Sequence, residues 1–118
     1  MDDKTTIQDL KKQVKKFCED RDWDKYHNPK DLAIGIITEA SELLEHFRFK
    51  SEADVKQILK SNKQEVSEEL ADVLYFVLRL AQKHDIDLAT ELEKKLRKNE
   101  LKYPVNKYKG LNKKYNEF

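Results

Sequence analysis

The sequence predicts an all-α protein, a helical bundle of four to five helices that is completed by oligomerisation. Only 2 glycines and 2 prolines punctuate its 118 residues, which are too few turn-forming residues for a sandwich or barrel of many strands. Residues that favour helices, Leu, Lys, Glu and Ala, are frequent. Apolar residues recur three and four positions apart along most of the chain, as in amphipathic helices. A chain of this length has room for one domain.

The first helix is expected from about Thr6 to Arg21. Its apolar residues form one stripe: Ile7, Leu10, Val14, Phe17 and Cys18. A single stripe predicts a surface helix with one buried face. The segment that follows, 21–27, is too rich in aromatic residues to be a simple spacer.

The second helix is expected to begin at Asn28 and Pro29, because Asn caps helices well and Pro suits the first helical position. Its apolar surface is wider than one stripe: Leu32, Ile34, Ile36, Ile37, Ala40, Leu43, Leu44 and Phe47. This width predicts contacts on more than one side. Gly35 lies inside the helix and permits the close approach of another helix.

Two further helices are expected between residues 51 and 83. Ser51 and Asp54 fit a capping box that opens a short helix ending near Leu59, and 62–65 repeats the signal before a longer helix. Residues 70–78 of the longer helix are almost continuously apolar. This helix is therefore expected to be the most buried element of the domain or of an oligomer.

The last helix is expected from a cap at Asp87 to about Lys102, with its inner side marked by Leu88, Leu92, Leu96 and Leu101. Pro104 ends it. The segment 105–118 is rich in Lys and Asn and contains scattered aromatic residues, Tyr108, Tyr115 and Phe118. Two interpretations stay open for this tail: an arm that docks loosely, or a disordered segment.

Composition excludes several classes of protein. The 24 Lys and Arg nearly balance the 23 Asp and Glu, for a formal net charge of +1, which argues against a strongly basic nucleic-acid binder. No run approaches the ~18 apolar residues of a membrane span, and the start at Met1 lacks an apolar signal segment. The single Cys18 cannot form a disulfide within the chain. We expect a soluble, cytoplasmic protein without nucleic-acid or membrane partners.

Two pairs of acids recur with the same spacing on the two most apolar helices. Glu39 and Glu42 lie on one side of the second helix, and Glu69 and Asp72 lie on one side of the fourth. Carboxylates about 4 Å apart repel by ~4 kcal/mol at an effective dielectric constant of about 20. Four acids brought together would therefore need protons or a cation.

The residue types favour a hard divalent ion. Ligation by oxygen alone suits Mg²⁺, with Mn²⁺ as the other option. A di-iron bundle would carry Glu three residues before His, and none of the three histidines has this neighbour. Either pair alone is more often a solvated helix face. The two pairs together, each inside an apolar run, favour a metal site, which Glu45, Glu65 and Glu68 either extend or merely border.

These residues resemble the MazG-like superfamily of all-α nucleoside triphosphate pyrophosphohydrolases, whose pattern is Glu-x-x-Glu followed by Glu-x-x-Asp. The resemblance spans about Phe17 to Pro104. Two flanking segments, 21–32 and 95–104, look most like the small dCTP pyrophosphatase branch. The predicted organisation is a MazG-like domain over 1–104 and a Lys/Asn-rich tail over 105–118.

The resemblance implies hydrolysis of a nucleoside triphosphate between its α and β phosphates. Mg²⁺ would be held by the four acids of the motif, and either Glu39 or Glu42 would act as the base. The implied substrates are dCTP or modified and noncanonical deoxynucleotides, and the implied assembly is a dimer or tetramer. A relative acting on phosphoribosyl-ATP or dUTP is a further possibility within the same enzyme class.

The same resemblance implies a set of substrate-binding residues: Trp23, His27, Phe49, Phe76, Lys95, Asn99, Lys102 and Tyr103. Two basic side chains seven residues apart, with Asn99 between them, would hold the triphosphate. Aromatic residues, with Tyr26 and Phe47 as further candidates, would hold the base. Phe49 stands where dCTP-preferring relatives tend to carry Trp, and Phe76 where they carry Tyr, which predicts a broader choice of base.

Each of these residues also has an ordinary structural interpretation. Surface lysines are usually only solvated, and aromatic residues near helix ends usually close a core. The competing hypothesis for the whole chain is a non-catalytic helical interaction or regulatory module whose acids form a docking surface. That hypothesis predicts neither nucleotide turnover nor dependence on Mg²⁺.

Overall fold

A computed structural model describes residues 1–117. Within them lie six α-helices: α1 (Ile7–Asp20), α2 (Pro29–Glu45), α3 (Glu52–Ser61), α4 (Lys63–Lys83), α5 (Leu88–Lys102) and α6 (Val105–Tyr108). One turn of 3₁₀ helix, Asp24–Tyr26, precedes α2. These residues contain no β-strand, so the all-α fold class is confirmed. None of the described helices has the length and apolarity that a membrane crossing requires.

The helix starts follow the capping signals of the sequence with one exception. The side chains of Thr6, Asn28, Ser51 and Asp87 each accept a hydrogen bond from the backbone N–H three residues later. Helix α4 begins directly after Asn62 as expected, but the Asn62 side chain makes no capping hydrogen bond. This side chain accepts a hydrogen bond from the Ser61 hydroxyl at 2.9 Å, because Asn62 directly joins α3 to α4 and lacks the extended backbone of a cap.

The chain divides into two compact units, residues 1–85 and the residues from Ile86 onward. In the first unit α4 is the central helix and packs against α1, α2 and α3. The buried apolar residues of this unit are Cys18, Leu32, Val66, Leu78 and Ala81. Gly35 lies beside Phe76 and His46 beside Glu69, so α2 and α4 run antiparallel.

Within the single chain α4 supplies the most buried residues, as expected, but it is buried over only part of its length. It supplies four buried residues, Val66, Leu78, Arg79 and Ala81, more than any other described helix. Leu70 and Leu74, in its apolar middle, are 54% and 43% exposed in the single chain. The apolar run therefore presents one side to the core of this unit and another side to solvent.

The second unit contains α5, α6 and the segment that follows. The expected inner side of α5 is not buried in the single chain, because Leu92, Leu96 and Leu101 are all exposed. The contacts of residues 105–117 favour the docked arm over the disordered segment: Tyr108 is buried, and the rings of Tyr108 and Tyr115 pack edge-on against Tyr103. Phe118 lies outside the described residues. The domain boundary at 104 stays a prediction.

Candidate metal centre and active site

The four acids of the two sequence motifs meet between α2 and α4. One carboxylate oxygen from each of Glu39, Glu42, Glu69 and Asp72 lies within 4.8 Å of the corresponding oxygens of the other three. Within each pair the residues are three apart and so project from one face of their helix. The packing of α2 on α4 turns the two faces toward each other. Glu45, Glu65 and Glu68 are not part of this cluster.

Two oxygens of the cluster are buried without a hydrogen-bond donor. Among the residues that the structure describes, Glu39 Oε2 and Glu69 Oε2 have no partner. A buried acceptor left unsatisfied costs about 1–3 kcal/mol. Four oxygen donors around two orphaned acceptors match the ligand preference of Mg²⁺ or Mn²⁺, so the residues present fit a hard divalent ion.

The cluster binds protons more tightly than isolated carboxylates do. Burial raises the pKa of Glu39 to about 7, with further contributions from Glu42, by hydrogen bond and charge, and from the charges of Asp72 and Glu69. Burial and the same neighbours, Glu42 and Asp72, also raise the pKa of Glu69. His46 opposes this, since its Nε2 lies 3.8 Å from Glu69 Oε1. Without a cation, Glu39 therefore holds its proton up to about pH 7.

A buried arginine, which the sequence analysis missed, holds the segment between α1 and α2. Arg79 is only 1% exposed. Its Nε donates to His27 Nδ1 at 3.0 Å and its Nη2 to Asp24 Oδ1 at 2.5 Å. Lys83 donates to the backbone carbonyls of Asp24 and His27. The signal in the sequence was a lone arginine inside the apolar run of α4.

These contacts determine which ring nitrogen of His27 carries the proton, and they lower its pKa. Its Nδ1 accepts a hydrogen bond, so we assign the proton of the neutral ring to Nε2. Burial lowers the pKa of His27, and the positive charges of Arg79 and Lys83 lower it further. A neutral His27 with Nε2–H can donate a hydrogen bond to an acceptor atom on the edge of a nucleobase.

A row of aromatic side chains runs from the segment before α2 to the centre of α4. Trp23 lies edge-on to both His27 and Phe17, at centroid distances of 6.1 and 5.7 Å. Phe17 contacts Tyr75 at 6.0 Å, and Tyr75 contacts Phe76 at 5.0 Å. Phe76 follows the acid Asp72 by one helical turn.

A cleft of about 280 Å³ opens beside this row and is lined by Gln13, Val14, Phe17 and Tyr75. None of these four residues was expected at a binding site. Phe17 belongs to the apolar stripe that predicts the buried face of α1, and Tyr75 belongs to the helix that is expected to be the most buried element of the domain or of an oligomer. The face of α1 that was expected to be buried is therefore partly open.

Phe49 stands apart from the other expected base-binding residues. Its side chain is 91% exposed, and its φ of +63° is unusual for a bulky residue. The Arg48 guanidinium lies 4.6 Å from its ring centroid. Tyr26 is also exposed, and Phe47 packs near His46. The single chain thus groups Trp23, His27 and Phe76 in one row and leaves Phe49 at the surface.

The residues expected to hold the triphosphate belong to the second unit. Lys95, Asn99 and Lys102 lie on α5, and Tyr103 is its C-cap residue. Asn99 and Tyr103 are half-buried. The Lys102 Nζ lies 5.0 Å from the ring centroid of Tyr115. Their contact with phosphate stays a prediction.

Comparisons with known proteins find a family, curated relatives and a solved structure that are similar to this chain. The MazG-like family matches residues 34–118. Two curated relatives, both named dCTP pyrophosphatase 1, from Rattus norvegicus and Mus musculus, are 32% and 31% identical over 114 residues, covering 95% of this chain and 67% of each relative. A crystal structure of a pyrophosphatase from Archaeoglobus fulgidus has a TM-score of 0.79 and 39% identity, covering 83% of this chain and 92% of that chain.

Proposed function

The chain belongs to the MazG-like family and is a nucleoside triphosphate pyrophosphohydrolase, and we propose that it requires Mg²⁺ and acts on dCTP or on modified and noncanonical deoxynucleoside triphosphates. Water attacks at the α–β anhydride, the bridging P–O bond breaks, and the products are a nucleoside monophosphate and pyrophosphate. The curated relatives named dCTP pyrophosphatase 1 support cytosine as the preferred base. The proposed role is the removal of unwanted deoxynucleotides in the cytoplasm.

The single observation that carries this proposal is the four-carboxylate cluster with its two orphaned buried oxygens. Glu39, Glu42, Glu69 and Asp72 would hold the ion. When bound, a divalent ion supplies positive charge for the phosphate oxygens and the attacking water. Glu39 or Glu42 takes up the proton that the water loses.

The base and the phosphates would be held by separate groups of residues. The aromatic row that includes Trp23 and Phe76 offers ring faces and edges for a base, and His27 offers its Nε2–H. Phe49 supplies a further exposed ring. The proposed triphosphate ligands come from α5 and its C-cap: Lys95, Asn99, Lys102 and Tyr103. Since Phe76 has no hydroxyl, it cannot hydrogen-bond a base edge, which favours a broader choice of base.

Pyrophosphate release from a panel of ribo- and deoxynucleoside triphosphates, common and modified, tests the activity and the substrate together. We expect turnover with Mg²⁺, none with EDTA, and the highest kcat/KM for dCTP or a modified deoxynucleotide. Glu42→Gln and Asp72→Asn should each lower kcat by at least about 100-fold, a typical cost of losing one group that stabilises a transition state. Glu68→Gln is the matched control, because Glu68 lies outside the cluster and accepts a hydrogen bond from Gln64.

Thermal melting separates this function from that of a non-catalytic helical module. Mg²⁺ with a nonhydrolysable deoxynucleotide at 100 times its Kd should add ~2.7 kcal/mol to the free energy of unfolding. Normal turnover in both cluster variants would contradict the metal assignment. Absence of turnover and of any shift in Tm would favour the interaction module.

A further inference from the structure

Gly35 of α2 lies directly against the ring of Phe76 in α4. A Cβ built at Gly35 would lie 2.5 Å from Cδ1 and Cε1 of Phe76 and 2.8 Å from its Cγ. Carbon atoms in favourable contact are about 3.5–4.0 Å apart. Any side chain at this position would therefore force a displacement of about 1 Å between the helix and the ring.

This contact lies one helical turn from the four carboxylates on both helices. Gly35 precedes Glu39 by four residues, and Phe76 follows Asp72 by four, so each lies on the acid-bearing face of its helix. At the other end of the cluster, His46 Nε2 lies 3.8 Å from Glu69 Oε1. The carboxylates are thus flanked along the helix pair by one tight apolar contact and one polar contact.

The turn of α4 that carries Phe76 is held against α1 through Tyr75. The Phe76 ring packs edge-on against Tyr75, with ring centroids 5.0 Å apart. The Tyr75 hydroxyl lies 3.1 Å from Cys18 Sγ, and its ring packs against Phe17. These contacts tie this turn of α4 to α1. Because α4 is held by α1 on another side, a group added at Gly35 is expected to displace α2 rather than α4.

We propose that Gly35 and Phe76 are positioning residues that set the distance between α2 and α4 and thereby the spacing of the carboxylates for a divalent ion. The proposal rests on the metal site of the proposed function. Mg²⁺ requires nearly octahedral geometry with oxygens about 2.0–2.1 Å away. A separation of the helices by about 1 Å would therefore weaken ion binding even though every ligand is still present.

Calorimetric titration of the metal-free protein with MnCl₂ or MgCl₂ tests this without measuring turnover. We expect Gly35→Ala to weaken Mn²⁺ binding at least 10-fold, while circular dichroism shows unchanged helix content. Gly35→Ala combined with Phe76→Leu nearly conserves the total side-chain volume. Because the Leu methyl groups can turn away from the added Cβ, the double variant should bind Mn²⁺ within about threefold of the wild-type affinity.

The possible outcomes separate the two proposals. A wild-type protein that binds neither ion overturns both the metal site and the positioning role. If the wild type binds the ion and Gly35→Ala binds it equally well, only the positioning role is overturned. Should Gly35→Ala not fold, Phe76→Leu decides, because shortening the ring removes the contact without adding bulk: Mn²⁺ affinity at least threefold weaker supports the proposal, and unchanged affinity overturns it.

Discussion

Glu39 has the most perturbed environment of the four clustered acids. One of its oxygens is buried without a partner among the described residues, and three other carboxylates surround it. In the metal-free protein a proton relieves both the burial and the repulsion, which explains why its pKa is raised to about 7. A divalent ion would take the place of this proton, so ion binding and proton release are linked.

The metal-free protein should lose stability as the pH rises from about 4.5 to about 7. The folded protein holds the Glu39 proton up to about pH 7, whereas the unfolded chain loses it near 4.5. The folded state binds more protons in this window, so the free energy of unfolding falls with rising pH and levels off above it. Glu69 acts in the same direction. Thermal melting in EDTA between pH 4.5 and 8.5 measures this, and Mg²⁺ should raise Tm most at the alkaline end.

Glu39→Gln isolates the contribution of this carboxylate. The variant carries no charge at this position, so it should be more stable than the wild type in EDTA at pH 8 and show a flatter pH profile. It should also lose most of the Mg²⁺-dependent rise in Tm, since one ligand is gone. A variant that retains the wild-type dependence of Tm on pH would show that Glu39 does not link proton release to ion binding.

The meeting of the four acids could be predicted from their spacing together with the apolar runs around them. Residues three apart share a helix face, and two such faces inside apolar runs were expected to meet; the structure brings Glu39, Glu42, Glu69 and Asp72 together. Which oxygens become buried could not be predicted, because burial depends on the packing distance between α2 and α4. The sequence likewise shows a glycine inside a helix at Gly35, but it does not reveal that Phe76 is the residue in contact with it.

Helix starts, which depend on neighbouring residues, could be predicted from the sequence, whereas contacts between residues far apart in the chain could not. The helix starts at Asn28 and Ser51 depend on residues within one turn, and both were predicted. Arg79 depends on partners more than fifty residues earlier in the chain, so no local pattern reveals its role. The start of α4 after Asn62 was also predicted, but the side-chain cap is absent because α3 and α4 are joined directly, which leaves no room for the extended backbone that such a cap needs.

Arg79 connects α4 to the segment before α2, and Arg79→Met should loosen that connection. We expect the free energy of unfolding to fall by about 1–3 kcal/mol, because His27 Nδ1 and Gln82 Oε1 lose a charged donor. The pKa of His27 should rise, since one nearby positive charge is removed. Urea unfolding measures the first effect and NMR titration of the imidazole the second.

Arg97→Met is the matched control for this variant, because Arg97 is exposed on α5. It should change neither the midpoint of urea unfolding nor the titration of His27. If Arg79→Met left the His27 titration at the wild-type position, Arg79 would not set the state of the histidine.

For the whole molecule, the important feature is that α2 and α4 are apolar on two sides. In α2 the exposed residues Ile34, Ile37 and Leu44 lie about 110° to 170° around the helix from the acid-bearing face. In α4, Leu70 and Leu74 are displaced from Glu69 and Asp72 by a similar angle. The sequence predicted apolar surfaces too wide for one chain to cover, but not which side would remain exposed. Helices with this pattern are usually buried by a further partner.

We predict that a second copy of the chain covers this apolar side, so that the protein is a dimer or tetramer at micromolar concentration. Light scattering coupled to size exclusion measures the mass directly. Ile37→Glu places a charge in the exposed side of α2, where Ile37 is 66% exposed, and should shift the protein toward monomer because burying an unpaired charge is costly. Gln57→Glu adds the same charge on an exposed position of α3 and should leave the mass unchanged. A wild-type protein that stays monomeric at tens of micromolar would contradict this assembly.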